Sequence, residues 1–297
     1  MNAPEVEIVE VFVSEKGGGN PAPIMLDARG LGDADMLSIA RAHNLESGFV
    51  LPATDTARAD CRFRFFVPQH EMEMCGHATI GALWLMRRRG LWTGECTRVE
   101  TRSGIVQGFV REAGSARETI EITQPVGRLS EIADPALAQA VLDVLGISRG
   151  DTLELPLLNA STSRPKTLVP LRSSAILDAL KPDFSQIAPL CEQLGSTGLY
   201  PFAAAPDSEN TFEARQFPKS SGYPEDAATG IAAAALAFGL RTYGLVPRVD
   251  REIIVRQGRA MGRPSEIRVR FDLDSATGQP RGCLLGGRVV LARQPIF

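Results

Sequence analysis

The sequence predicts a mixed α+β fold made of two similar domains. The length of 297 residues is typical of two domains at about 150 residues each. Short strand patterns alternate with helix patterns along the whole chain. A motif of the first half, RFFVP at residues 64–68 followed by GHA at 76–78, recurs in the second half as RQFP at 215–218 followed by GIA at 230–232.

Each copy of this motif combines a strand, a proline-containing loop and a helix that starts with small residues. The copies lie about half a chain length apart, which predicts two pseudo-symmetric domains with a site in the cleft between them. Pro125 and Gly127 mark a boundary near residues 124–128. We therefore expect an N-terminal domain at residues 1–124 and a C-terminal domain at residues 125–297.

The elements follow from local patterns. Residues 6–13 are β-branched and alternating, as in a strand, and end at a turn of glycines, Asn20 and Pro21. Apolar spacing predicts a helix at 33–43 with Asp33 as its N-cap. Further strands are predicted at 24–26, 49–51, 62–66, 97–112, 118–122, 167–171, 252–256, 266–271 and 288–292. Further helices are predicted at 76–89, 135–145, 184–194 and 228–243.

Composition and charge exclude several classes of protein. With 32 basic and 35 acidic residues the formal charge is −3, which offers no general attraction to nucleic acid or to an anionic membrane. The longest apolar run, residues 231–240, is shorter than the roughly 18 residues of a membrane span. The acidic start of the chain lacks the pattern of a signal peptide, and five unpaired cysteines are typical of reduced thiols. We expect a cytoplasmic protein.

Two helix starts are candidate binding sites for an anion. A helix that begins at Gly76 or at Gly230 directs backbone N–H groups and the positive end of its dipole to the preceding loop. Glycine also allows a ligand to approach the backbone closely. Two such helix starts facing one cleft would bind a carboxylate without a net positive charge.

Three titratable side chains lie near these helix starts. Glu46 stands between a predicted helix and a predicted strand, and burial beside Phe49 would suit a base that moves a proton at carbon. His77 lies on the first helix start as a hydrogen-bond partner or proton relay. Asp226 comes just before the second helix start, where an acidic residue is ordinarily an N-cap.

Metal and nucleotide sites are not expected. Cys75 and His77 lack a second ligand pair at zinc spacing, and Cys75 fits a small buried residue. The run of glycines at 17–19 is followed by Asn-Pro and a strand, so it matches neither a dinucleotide fingerprint nor a P-loop. We predict no metal and no cofactor.

Together these motifs resemble the phenazine-biosynthesis PhzF-like isomerases, within the superfamily of diaminopimelate epimerase and proline racemase. Order and spacing match from about residue 8 to residue 240. The matching segments are Phe12 with Gly19-Asn20-Pro21, Glu46-Ser47-Gly48-Phe49, Arg64 to Pro68, Cys75-Gly76-His77-Ala78-Thr79, Arg215 to Pro218 and Glu225 to Gly230.

The resemblance implies two diaminopimelate-epimerase-like domains, each a curved sheet wrapped around a central helix, and a homodimer. It implies cofactor-free transfer of a proton between carbons of a small cyclic carboxylate, as with 2,3-dihydro-3-hydroxyanthranilate. Glu46 would be the acid/base, supported by His77 and Asp226. The carboxylate would bind to the backbone around the helix starts, at Gly76, Ala78, Thr79, Thr229, Gly230 and Ile231.

Two alternatives stay open. Ile231 stands where the family usually has serine, which favours a non-catalytic protein that binds a small carboxylate. A racemase or epimerase would need two thiols, one on each face of a substrate carbon. Cys75 would be one of them, but Thr229 occupies its equivalent in the second copy of the motif, which disfavours this reaction.

Overall fold

The computed structural model describes residues 5–115, 118–246 and 248–292, which form two compact units. Unit 1 comprises the chain up to Thr123 together with its end from Gly286 onward, and unit 2 comprises Gln124–Leu285. The last strand, Val289–Leu291, pairs with Val6–Val11 near the start of the chain. The chain end therefore belongs to unit 1, whereas the predicted boundary assigned it to the C-terminal domain.

Unit 1 is a mixed sheet with two helices. Its strands are β1 (Val6–Val11), β2 (Asn20–Met25), β3 (Ser47–Leu51), β4 (Cys61–Phe66), β5 (Glu71–Met72), β6 (Cys96–Thr101), β7 (Gly104–Arg111) and the first part of β8 (Thr119–Pro125), with β18 (Val289–Leu291) at the chain end. Its helices are α1 (Asp33–His43) and α2 (Gly76–Arg88). Helix α2 packs on β1, β2, β3 and β18, and ten of its 13 residues are buried.

Unit 2 has the same combination of a mixed sheet and a central helix, with additional helices. Its strands are β9 (Arg128–Glu131), β10 (Leu158–Ser161), β11 (Lys166–Pro170), β12 (Gly198–Ala204), β13 (Thr211–Ala214), β14 (Phe217–Pro218), β15 (Ile253–Gln257), β16 (Ser265–Leu273) and most of β17 (Pro280–Gly287). Its helices are α3 (Pro135–Leu145), α4 (Ser174–Ala179), α5 (Phe184–Leu194) and α6 (Gly230–Thr242). Helix α6 packs on β9, β10, β11 and β16 with eleven of its 13 residues buried, as expected for a helix that is apolar all round.

The order of strand pairing is the same in both units. In unit 1 the pairs β1–β2, β2–β3, β3–β4, β4–β6 and β6–β7 are antiparallel, parallel, antiparallel, parallel and antiparallel. The pairs β10–β11, β11–β12, β12–β13, β13–β15 and β15–β16 of unit 2 follow the same sequence. The predicted α+β fold with an internal repeat and a central helix in each copy is confirmed.

The register of the strands shows which residues of the two copies correspond. Arg64 of β4 pairs with Phe49 of β3, and the backbone N–H of Arg215 donates to the carbonyl of Pro201 of β12. Counting along the strands from these pairs, the position of Glu46 in unit 1 is occupied by Gly198 in unit 2.

Two local predictions need correction. The N-cap of α1 is Gly32 and not Asp33, because the Asp35 carboxylate accepts a hydrogen bond from the Gly32 N–H across 2.9 Å and Asp33 is already the first helical residue. Strand β2 begins at Asn20, four residues before the predicted strand, because residues assigned to a turn pair with β1. Among the described residues, no helix is long and apolar enough to cross a membrane.

Candidate active site

Glu46 lies in the short connection between α1 and β3. Asn44 is the C-cap that follows α1, its left-handed conformation (φ 51°) turns the chain, and β3 starts at Ser47. Only 13% of the Glu46 side chain is exposed. The residue between the predicted helix and the predicted strand is therefore a largely buried carboxylate.

Cys75 and His77 lie at the start of α2, next to Glu46. Cys75 is the N-cap of this helix, with an extended backbone, and Gly76 is the first helical residue. Both side chains are buried, with 3% of Cys75 and 4% of His77 exposed. The Cys75 thiol donates a hydrogen bond across 3.1 Å to Oε2 of Glu46.

The imidazole of His77 completes a triangle of polar atoms. Its Nδ1 lies 3.3 Å from Sγ of Cys75 and 3.6 Å from Oε2 of Glu46. A thiol carries one proton, so when it donates to Glu46 the sulfur accepts from a protonated Nδ1 of His77. The arrangement forms a short hydrogen-bonded chain from imidazole through thiol to carboxylate, along which a proton can move.

The remaining predicted residues of unit 1 form the first turn of α2. The Thr79 hydroxyl donates to the Cys75 carbonyl across 2.7 Å, so this side chain stabilises the helix start. Ala78 is fully buried, and a Cβ at Gly48 would come within 3.5 Å of it. The N–H groups of Gly76, His77 and Ala78 have no partner within the helix, whereas the N–H of Thr79 donates to the Cys75 carbonyl across 3.0 Å.

Asp226 belongs to a separate polar network in unit 2. The Thr229 hydroxyl donates to the Asp226 carboxylate, and Thr229 is the N-cap of α6. Nε2 of Gln257 donates to the Asp226 carbonyl across 2.7 Å. Oε1 of Gln257 accepts from the Thr229 N–H and from the Tyr200 hydroxyl, at 3.3 and 2.9 Å. Burial, with the nearby charge of Asp226, raises the pKa of Tyr200, so its hydroxyl stays protonated as the donor.

Gly230 and Ile231 start α6 as Gly76 and His77 start α2. Ile231 is only 5% exposed and therefore packs into unit 2. The two helix starts thus differ in chemistry, because unit 1 carries a thiol and an imidazole where unit 2 carries a hydroxyl and an aliphatic side chain.

An arginine–glutamate pair precedes each helix start. Arg64 forms two hydrogen bonds to Glu71, at 2.7 and 2.8 Å, and Arg215 forms two to Glu225, at 2.8 and 2.7 Å. Each guanidinium also stacks on the phenylalanine two residues later, Phe66 or Phe217. In both units these pairs fix the loop that leads to the helix start.

The structure brings Glu46 and His77 together in unit 1 and places Asp226 in unit 2. Sequence reasoning missed the contact of Cys75 with both unit 1 residues, although its place before a Gly-His helix start was a signal. It also missed Gln257 and Tyr200, because a glutamine at the end of a strand and a tyrosine within one carry no distinctive pattern.

The chain thus has a duplicated α+β fold, and Glu46, Cys75 and His77 form a buried polar cluster at the start of the central helix of unit 1. The family model for phenazine biosynthesis-like proteins, PhzC-PhzF, matches residues 9–294. This chain belongs to that family, and it is an isomerase of the PhzF type.

Two relatives illustrate the similarity. The uncharacterised isomerase YddE of Escherichia coli K12 is 31% identical over 293 residues, which cover 97% of this chain and 96% of that protein. The trans-2,3-dihydro-3-hydroxyanthranilate isomerase of Pseudomonas aeruginosa is 31% identical over 268 residues, which cover 89% of each protein.

Solved structures agree on the fold. The PhzF-family phenazine biosynthesis protein of Bacillus anthracis superposes with a TM-score of 0.86 at 25% identity, covering 97% of this chain and 96% of that one. A hydroxyproline epimerase from Agrobacterium vitis shares the fold, with a TM-score of 0.63 at 14% identity over 97% of this chain and 90% of that one.

Proposed function

We propose that this isomerase moves a proton between two carbons of a small cyclic carboxylate, without a cofactor, and that Glu46 is its acid/base. The observation that carries the proposal is the largely buried Glu46 carboxylate, held by the Cys75 thiol beside His77. A carboxylate in such surroundings suits general acid–base chemistry at carbon. The name of the Pseudomonas aeruginosa relative supports a reaction of this class.

In this mechanism, Glu46 takes a proton from one carbon of the substrate and returns it to another carbon of the same molecule. Atoms and charge balance within the substrate, so no redox partner is required. The Cys75 hydrogen bond orients the carboxylate, and His77 relays a proton or donates a hydrogen bond. Asp226 supplies a further polar group.

The substrate carboxylate would bind at the helix starts. First-turn N–H groups and the helix dipole favour an anion there. The residues that we assign to this role are Gly76, Ala78 and Thr79 on α2, and Thr229, Gly230 and Ile231 on α6. The homodimer and the cytoplasmic location stay predictions from the sequence.

A thiol-based racemase is the second candidate, because Cys75 contacts His77 at a helix start, where thiols are activated. Such a reaction needs a second thiol on the opposite face of the substrate carbon. Thr229 occupies the corresponding position in unit 2, and its hydroxyl donates a hydrogen bond to the Asp226 carboxylate. Burial raises the pKa of Cys191 to about 11 and that of Cys283 to about 12, so these thiols of unit 2 stay protonated and do not supply the thiolate that the reaction needs.

The test is proton exchange in D₂O with a panel of small cyclic and amino carboxylates, followed by NMR. Wild type should introduce deuterium at a C–H position of at least one compound. Glu46→Gln should slow this exchange by about 100-fold or more, the usual contribution of a general base. Glu73→Gln is the matched control, because it makes the same chemical change at an exposed position two residues before Cys75.

Two outcomes would overturn the proposal. Equal exchange by wild type and Glu46→Gln would exclude Glu46 as the base. Absence of exchange with every compound, while a carboxylate still raises the melting temperature, would favour the non-catalytic binding protein that Ile231 suggests.

A further inference from the structure

Across residues 5–115, 118–246 and 248–292, one group of three side chains has the donor atoms of a metal site: Glu46, Cys75 and His77. They offer a carboxylate oxygen, a thiol sulfur and an imidazole nitrogen. The three donor atoms are separated by 3.1 Å (sulfur to oxygen), 3.3 Å (sulfur to nitrogen) and 3.6 Å (nitrogen to oxygen).

These separations are close to those between three ligands of a tetrahedral zinc ion. Zinc binds sulfur at about 2.3 Å, imidazole nitrogen at about 2.0–2.1 Å and carboxylate oxygen at about 2.0–2.2 Å. At the tetrahedral angle, these bond lengths place the donor atoms roughly 3.3–3.6 Å apart. The three side chains therefore need to move by only a few tenths of an ångström to bind an ion.

We propose that Oε2 of Glu46, Sγ of Cys75 and Nδ1 of His77 form a binding site for zinc, with the fourth position left to a water or to a substrate oxygen. Binding replaces the thiol proton, which leaves to solvent as the Zn–S bond forms, and the Nδ1 proton of His77 is exchanged for one on Nε2, so that the neutral ring binds through Nδ1. Sulfur and nitrogen donors favour zinc over magnesium or calcium, which prefer oxygen.

Charge balance favours the ion in this buried position. A thiolate and a carboxylate together carry two negative charges, which a divalent ion neutralises, and His77 binds as the neutral ring. A neutral cluster avoids the cost of an unpaired charge in surroundings where the Cys75 and His77 side chains are almost fully enclosed. The positive end of α2 opposes a bare cation, but the thiolate at the N-cap compensates for it.

Zinc binding is a property beyond the proposed isomerase reaction, and it would inhibit that reaction. Zinc would engage the same carboxylate oxygen that we assign as the proton acceptor, so the zinc-bound enzyme should not exchange protons. Isomerisation would then depend on the concentration of free zinc.

Cobalt is the probe, because it takes the coordination of zinc and absorbs light when it is bound to a thiolate. The full-length protein is treated with a chelator, titrated with Co²⁺ and then with Zn²⁺. We expect one Co²⁺ per chain, with a sulfur-to-cobalt charge-transfer band and tetrahedral visible bands that Zn²⁺ abolishes. Affinity should rise with pH, since binding releases the thiol proton.

Variants locate the site. Cys75→Ser should lose the charge-transfer band and weaken Co²⁺ binding by about 100-fold or more. Even the mutation of a residue that only hydrogen-bonds to a metal ligand lowers metal affinity by about 10- to 100-fold. Glu46→Gln and His77→Asn should each weaken binding while keeping the band. Cys96→Ser, which alters an exposed cysteine, is the matched control and should bind as wild type does. Circular dichroism checks that each variant is folded.

The inference is overturned if the wild-type protein shows no charge-transfer band, or if the band survives in Cys75→Ser and disappears in Cys96→Ser. It is also overturned if Glu46→Gln and His77→Asn bind Co²⁺ as tightly as wild type. These readouts do not use catalysis, so a failure of the proposed isomerase reaction leaves them unaffected.

Discussion

The thiol of Cys75 donates a hydrogen bond across 3.1 Å to the carboxylate of Glu46, which precedes it by 29 residues. This contact joins the connection before β3 to the start of α2, and both side chains are largely buried. The central helix thereby positions the carboxylate that we assign as the acid/base. Substitution of Cys75 separates a positioning role of the thiol from a direct one.

Cys75→Ala should lower the rate of proton exchange about tenfold, which is the effect of losing one hydrogen bond. The exchange rate should fall less in Cys75→Ser, because the serine hydroxyl can still donate a hydrogen bond to Glu46. The measurement is deuterium exchange with the compound on which wild type is most active. If Cys75→Ala is as slow as Glu46→Gln, the thiol itself transfers the proton and the thiol-based reaction gains support.

The pair of Arg64 and Glu71 should contribute to stability in a pH-dependent way. The hydrogen bonds from Arg64 hold the pKa of Glu71 below its ordinary value of 4.5, and the side chains are 19% and 14% exposed. A lowered pKa in the folded state means that the contribution is present above about pH 4.5 and is lost as the pH falls through the lowered value.

Glu71→Gln should therefore lower the free energy of unfolding by about 1–3 kcal/mol at neutral pH, and by less at about pH 3.5. Urea denaturation at the two pH values measures the difference. Asp27→Asn is the control, because its pair with Arg29 is exposed and screened by solvent, so no measurable loss is expected. A loss for Glu71→Gln that is the same at both pH values would contradict the ionic account.

Sequence patterns predicted the amphipathic helices best. The predicted bounds of α1, α3 and α5 are those of the structure, because clear apolar spacing and caps such as Asp134 and Gly146 mark their ends. Strands β12 and β17 were missed, since β12 contains Pro201 and β17 contains several glycines, residues that are typical of turns.

The candidate site was only partly predictable. Glu46 and His77 stand in motifs that sequence can identify, but their contact with Cys75 depends on how β3 packs against α2. A separation of 29 residues between Glu46 and Cys75 carries no spacing signal for a metal site. Only the folded structure therefore shows that Cys75 lies close enough to Glu46 and His77 to be the third ligand of the proposed zinc site.

Gly81 of α2 should tolerate no larger residue. A Cβ at this position would lie 2.7 Å from Cγ2 of Val9 and 3.1 Å from Cγ2 of Val11, both on β1 and fully buried. Valine side chains have few alternative rotamers, so the helix must shift. Gly81→Ala should lower the free energy of unfolding by about 1–3 kcal/mol, the usual effect of overpacking a core.

A second substitution tests the cause of that loss. Val9→Ala removes the closest methyl groups, so the double variant with Gly81→Ala should lose less stability than the two single variants together. Denaturation curves of the four proteins give the coupling energy. Simple additivity would show that a clash with Val9 is not the reason.

Substitution of Gln257 should lower the stability and the exchange rate more than substitution of Tyr200, because Gln257 makes more hydrogen bonds in the network around Asp226. Gln257 is 2% exposed and serves four groups: the Tyr200 hydroxyl, the Thr229 N–H, the Thr229 hydroxyl and the Asp226 carbonyl. Gln257→Leu leaves these buried groups without that partner and should lower the free energy of unfolding by about 3 kcal/mol. The Asp226 loop should also move, which would slow exchange at least tenfold, since small misplacements of catalytic groups are costly.

Tyr200→Phe is the matched variant because it removes one donor and leaves the other contacts of Gln257 in place. It should cost about 1 kcal/mol and leave the exchange rate unchanged. Since burial raises the pKa of Tyr200, its hydroxyl remains a donor, and the stability difference should be the same at pH 7 and pH 9. Urea denaturation and deuterium exchange measure both quantities. Equal losses of stability and exchange rate in the two variants would mean that Gln257 acts on Asp226 only through Tyr200, which its direct hydrogen bond to the Asp226 carbonyl argues against.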